Sequence, residues 1–154
     1  MRDYDLIAGA LSPGGSREQR TQAVVDGLWS SLRAKGVSWV GFYLDRPDEP
    51  QDRRLVLGPC RDKPACSPIG LHGVCGQALR FRTARIVDDV RELGDEYIPC
   101  DPRDRSEIAI PLIDERSVCW GVLDLDSRQL GGFDDSDETG LRKVLRAVGL
   151  LAEA

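Results

Sequence analysis

One histidine, one methionine and no long apolar run set the first limits on this chain of 154 residues. A membrane-spanning helix needs about 20 consecutive apolar residues, and the sequence has no such run. His72 is the single histidine, and Cys60, Cys66, Cys75, Cys100 and Cys119 form no C-x-x-C pair. That spacing argues against a structural zinc site, which is built from close ligand pairs, and against a thioredoxin-type dithiol. Positive charge is also short. The 21 Lys and Arg residues are outnumbered by 26 Asp and Glu, mixed along the chain, which leaves no basic stripe for nucleic acid or an anionic membrane surface. A net charge of −5 is nevertheless too small, and a hydrophobic content of 41% too large, for a disordered chain. The opening MRDYDLIAGALSPGGSREQ has no apolar signal core, so the expected address is the cytoplasm.

An odd number of cysteines excludes complete internal pairing. In a reducing compartment they are core residues, metal ligands, or redox and catalytic groups. The length fits one domain, expected over 1–154, with 1–15 as an N-terminal extension that has room for a short helix. It also supplies a core large enough that disulfide staples are not needed.

Periodicity predicts the elements. Ser16–Lys35 reads as a helix, with Val24, Val25, Leu28, Trp29 and Leu32 on one face, a Ser16/Gln19 capping box and Gly36 as the stop. Ser38–Asp45 reads as a strand with Trp39, Gly41 and Tyr43 on one face. A turn-rich loop leads to a returning strand at Arg53–Pro59, and Cys60–Gly73 is irregular. Val74–Arg82 reads as a short helix, Ala84–Val90 as a short strand, and Arg91–Arg105 as a long polar loop. Ser106–Ile113 and Val118–Ser127 form a hairpin, and Asp134 or Ser136 caps a final amphipathic helix carrying Leu141, Val144, Leu145, Val148 and Leu151. The implied class is α+β, with a central antiparallel sheet, terminal helices on one face, and loops forming a pocket on the other.

Asp124 and Asp126 in LDLDS share one strand face, where Asp is rare. Either both are solvated at a fraying strand end, or they join Glu107 as three carboxylates at one pocket, able to hold a cation or share a proton. Cys75, in GVCG, opens a helix where free N–H groups favour a thiolate; the competing reading is a small buried residue. Cys66 and Cys100 lie in Pro-flanked loops, where reachability suits thiol exchange. Cys119 reads as core, and Cys60 as core or bystander. His72 beside GVCG raises a Cys-His acyl-transfer pair. Gly41 between Trp39 and Tyr43 leaves a hollow for an apolar ligand group.

These residues carry a resemblance. WVGFYL, LVLGPC-RDKPAC, GVCG, IPCD followed by SEI, and GVLDLDS followed by a Gly-Phe-Asp turn together resemble the free methionine-(R)-sulfoxide reductases, a single-domain family of the GAF fold, over about Trp39–Leu141. The chain departs from the family pattern in the spacing around Cys75, in His72, and in carrying Cys60 and Cys119. The resemblance implies that Cys100 is the nucleophile, Cys66 its resolving partner, and Cys75 a third thiol able to join the relay. It implies that Glu107, Asp124 and Asp126 surround the sulfoxide oxygen and the amino group of the substrate, and that Trp39 and Tyr43 enclose its methyl end. Free methionine sulfoxide is then the substrate, thioredoxin or a similar dithiol the reductant, and no metal or organic cofactor is required. A homodimer through the end helices fits the same resemblance. The rival from another class is a non-catalytic GAF sensor module that binds a small molecule. A single domain of this length would leave no room for an output domain, which favours the enzyme.

Overall fold

A computed structural model describes residues 1–153. Helix α1 spans Tyr4–Gly9 and α2 spans Arg17–Leu32. Strands β1 (Trp39–Asp45) and β2 (Leu55–Arg61) follow, then α3 (Val74–Phe81), β3 (Arg85–Val87), β4 (Ser106–Ile113), β5 (Cys119–Ser127) and α4 (Asp135–Ala147). The strands form one antiparallel sheet in the order β2-β1-β5-β4-β3.

The end helices form where their caps predict. Ser16 Oγ accepts from the Gln19 amide while the Gln19 side chain accepts from the Ser16 amide, which satisfies two otherwise orphaned donors. Asp134, rather than Ser136, caps α4, and Asp137 reciprocates. The apolar stripes of α2 and α4 bury Val24, Leu28, Leu32, Leu141, Val144 and Leu145 against Phe42, Ile108, Ile110, Leu123 and Leu125 on one sheet face. Truncating any such fully buried Leu costs about 2–5 kcal/mol. Helix α1 joins this layer. The Tyr4 hydroxyl donates to Asp137 at 2.6 Å, and its ring lies so close over Gly140 that a Cβ there would fall 2.1 Å from it.

Several boundaries differ from the sequence expectation for local reasons. Pro50 opens a helical turn over Gln51–Arg53, so β2 starts at Leu55 and runs on to Arg61, taking Cys60 into the strand opposite Gly41. The strand expected over Ala84–Val90 shrinks to Arg85–Val87, because Asp89 leaves the ladder to cap a short helical segment at Val90–Glu96. Cys119 opens β5 half-buried instead of sitting in mid-strand core.

The opposite sheet face carries Trp39, Tyr43, Ala109 and Val122 and is covered by α3 and the Cys60–Gly73 and Val90–Arg105 segments. Strand pairing sets what meets on that face. Trp39 and Glu107 both lie opposite Asp126, while Gly41 and Ala109 both lie opposite Asp124. Alternation then turns all of these side chains to the loop-covered side.

Candidate active site

A narrow pocket of about 40 Å3 opens between this face and the covering loops. Asp124 and Glu107 are buried at 4% and 7% exposure, and Asp126 beside them is half-buried. The register brings the three together from strands that are remote in sequence, so the solvated-strand-end reading of Asp124 and Asp126 does not hold. Trp39 and Tyr43 form one wall, with ring centroids 6.1 Å apart. Ile69, Val74, Tyr97 and Ile98 complete the apolar lining. Cys100 and Asp101 stand at the mouth.

The hollow expected at Gly41 is already filled. A Cβ on Gly41 would lie 2.2 Å from the Trp39 ring, so the indole lies over the glycine. Glycine is needed here to seat the tryptophan, and the room for a ligand lies beyond the ring.

Cys66 and Cys100 are joined as a disulfide, with Cα atoms 5.5 Å apart and both residues exposed. The loops that carry them are held from below and from the side. The Trp39 indole N–H donates to the Lys63 carbonyl at 2.8 Å, and the Tyr43 hydroxyl donates to the Cys66 carbonyl at 2.8 Å. Lys63 reaches across to Asp101 at 3.0 Å, so an ion pair links the two cysteine loops. Arg103 also bonds Asp101, and together these partners hold its carboxyl below the usual range.

Burial dominates the electrostatics within. It pushes Asp124 well up, and the charges of Asp126 and Glu107 push the same way. Asp126 is raised by burial and then by Glu107. Glu107 is raised by burial, with the neighbouring Asp124 side chain acting the other way. Three carboxylates this close cannot all ionise, so the cluster holds protons at neutral pH. It can therefore both donate a proton to a developing oxyanion and attract a cation.

Cys75 corrects the thiolate reading. Its Sγ is buried 4.0 Å from Glu107 Oε2, and burial followed by the charges of Asp124, Glu107 and Asp126 pushes its thiol well up. The helix N-terminus cannot offset three nearby carboxylates, so the thiol stays protonated. His72 does not serve as its base. The imidazole belongs to an exposed residue outside the pocket lining, and Cys75 faces Glu107 instead. Cys60 and Cys119 are half-buried free thiols, each raised by burial, and neither lines the pocket.

Asp104 also lines the pocket and was not singled out from the sequence. It is buried, accepts from Ser38 Oγ at 2.9 Å, and is raised by burial. In a loop of alternating Asp and Arg it resembles a solvated residue. Tyr97 and Ile98, also missed, carry the only available signal, as apolar residues within a polar loop. Among the described residues, Cys75, Glu107 and Asp124 are also spaced to hold a metal ion, with donor atoms within 4.8 Å of one another.

A GAF domain family model matches residues 15–151. Among curated relatives, the free methionine-R-sulfoxide reductase of Escherichia coli is 41% identical over 115 residues, which covers 73% of this chain and 65% of that protein. The match thus spans just under two thirds of that relative's length. Among solved structures, the free methionine-R-sulfoxide reductase of Neisseria meningitidis in complex with its substrate has a TM-score of 0.80 at 30% identity, covering 95% of this chain and 83% of the other. The fRMsr of Staphylococcus aureus in complex with substrate has a TM-score of 0.83 at 30% identity, covering 99% and 97%.

Proposed function

The chain belongs to the GAF domain family, and from that premise we propose that it reduces free L-methionine-(R)-sulfoxide to L-methionine by thiol chemistry in this pocket. The observation that carries the reading is the exposed Cys66–Cys100 pair at the mouth of a pocket whose inner end gathers Glu107, Asp124 and Asp126.

In the reduced protein, the Cys100 thiolate attacks the sulfoxide sulfur. The oxygen gathers negative charge and takes a proton from the Glu107, Asp124 and Asp126 cluster. Methionine leaves and Cys100 becomes a sulfenic acid. The Cys66 thiol then displaces water from that sulfenic acid and forms the disulfide. The sum is one sulfoxide and two thiols converted to one thioether, one disulfide and one water. Cys75 stands close enough to the pocket to serve as an alternative relay thiol, provided a base removes its proton. The remaining negative charge of the cluster receives the α-ammonium of the free amino acid, and Trp39 and Tyr43 enclose its methyl end. A methionine inside a peptide has no such ammonium, which restricts the enzyme to the free amino acid.

Thioredoxin or a similar cytoplasmic dithiol restores the thiols by exchange at the exposed disulfide. A homodimer through the end helices leaves the pocket mouth clear, because α2 and α4 cover the opposite sheet face. Solution mass by light scattering tests that assembly. The function itself is tested by a thioredoxin-coupled NADPH assay with free R- and S-methionine sulfoxide. Consumption of the R form is expected. Sulfoxide binding without methionine release would instead identify a sensor module.

A further inference from the structure

The reduction cycle proposed above needs only Cys66 and Cys100, and Cys75 is a free buried thiol. Its Sγ, one Glu107 oxygen and one Asp124 oxygen lie within 4.8 Å of one another. A second observation points to a ligand at the same place. Asp124 Oδ1 is fully shielded, on a residue only 4% exposed, and has no hydrogen-bond partner among the described residues. A buried carboxylate oxygen in that state is costly unless a cation or a donor completes it.

We propose that Cys75, Glu107 and Asp124 form a site for one thiophilic divalent cation, of the zinc class, and that the bound cation closes the pocket to its substrate. Tetrahedral zinc, with bonds of about 2.3 Å to sulfur and about 2.1 Å to oxygen, places those ligand atoms roughly 3.6 Å apart. The Cys75 Sγ to Glu107 Oε2 distance is 4.0 Å, so small side-chain rotations bring both to bonding distance. The sulfur ligand sets the selectivity. Magnesium and calcium favour all-oxygen shells, whereas zinc and cadmium take thiolate readily. Binding replaces the Cys75 thiol proton with the metal and releases that proton; no electron moves. The two positive charges let all three groups ionise together, which the metal-free cluster cannot do. Exclusion of substrate rests on the function proposed above, since the α-ammonium would use the same carboxylates. Metal binding itself does not rest on it.

The test uses the full chain with the Cys66–Cys100 disulfide intact, so that only Cys60, Cys75 and Cys119 are free thiols. Cadmium chloride is titrated while the ultraviolet thiolate-to-cadmium charge-transfer band is recorded. The expected result is a band that saturates at one cadmium per chain, persists in the Cys60→Ser/Cys119→Ser double variant, and disappears in Cys75→Ala. Zinc chloride should displace the cadmium. Should Cys75→Ala fold poorly, the Glu107→Gln/Asp124→Asn variant keeps the thiol and should weaken cadmium binding by at least about tenfold, as loss of two ligands requires. No band in the wild type, a band retained by Cys75→Ala, or unchanged affinity in the carboxylate variant would overturn the site. Free methionine sulfoxide should raise the cadmium concentration needed for saturation. A band with no such competition would overturn the closing of the pocket to substrate by the bound cation.

Discussion

The Tyr43 hydroxyl donates to the Cys66 carbonyl oxygen at 2.8 Å, so the aromatic wall of the pocket holds the loop that carries one half of the disulfide. Tyr43→Phe keeps the ring and removes this bond, which is worth about 1 kcal/mol. The first methionine should form at near wild-type rate, while closure of the disulfide slows severalfold. Rapid-quench sampling of methionine alongside free-thiol counts separates the two steps. A loss confined to the first step would mean that the hydroxyl acts on substrate and not on the Cys66 loop.

Burial raises Asp124 strongly, with Asp126 and Glu107 acting in the same direction. A carboxyl whose pKa is higher in the folded state destabilises the fold as pH climbs above the unfolded value, near 4, and the penalty levels off above the folded value. Asp124→Asn removes this penalty. Its melting temperature should exceed that of the wild type at pH 7 by a few degrees, since each unit of raised pKa is worth about 1.4 kcal/mol and each kcal/mol about 2–4 °C in a chain of this size. The gap should close toward pH 4. The same variant should lose most of its reductase activity. An Asp124→Asn protein less stable than the wild type at pH 7 would contradict the buried, proton-holding cluster.

Gly41 seats the Trp39 indole, and a Cβ there would fall 2.2 Å from the ring. Gly41→Ala must displace that ring and with it the indole bond to the Lys63 carbonyl. The expected cost is about 1–3 kcal/mol of stability from overpacking. A raised KM for the sulfoxide should accompany it. Denaturant unfolding and steady-state kinetics check both effects.

His72 is exposed and outside the pocket. His72→Ala should leave kcat/KM within about twofold of wild type, as expected for a residue that touches neither substrate nor thiol. A collapse of activity would revive a Cys-His mechanism.

Local signals carry much of this fold. The Ser16/Gln19 capping box and the apolar stripe of α2 are visible in adjacent residues, and so is the alternation that places Trp39 and Tyr43 on one face of β1. The pairing of Asp124 with Asp126 is equally legible, because alternation alone puts them side by side. That Glu107 joins them depends on register through the Asp114–Val118 turn, which the sequence suggests without setting. Cys75 shows the limit. Its own segment argues for a thiolate, while the carboxylates that keep it protonated arrive from β4 and β5. Asp104 is hidden for the same reason, since its partner Ser38 lies far away in sequence, just before β1. Chemistry set by long-range pairing is what a local reading cannot recover.

The most direct measurement is methionine release from the fully reduced chain mixed with excess free L-methionine-(R)-sulfoxide, with no added reductant. The wild type should release one methionine per chain and form the Cys66–Cys100 disulfide. Cys66→Ser should release one methionine and stop at the Cys100 sulfenic acid, and Cys100→Ser should release none. Methionine released by Cys100→Ser, or none from the wild type, would contradict the assignment of Cys100 as the attacking thiol.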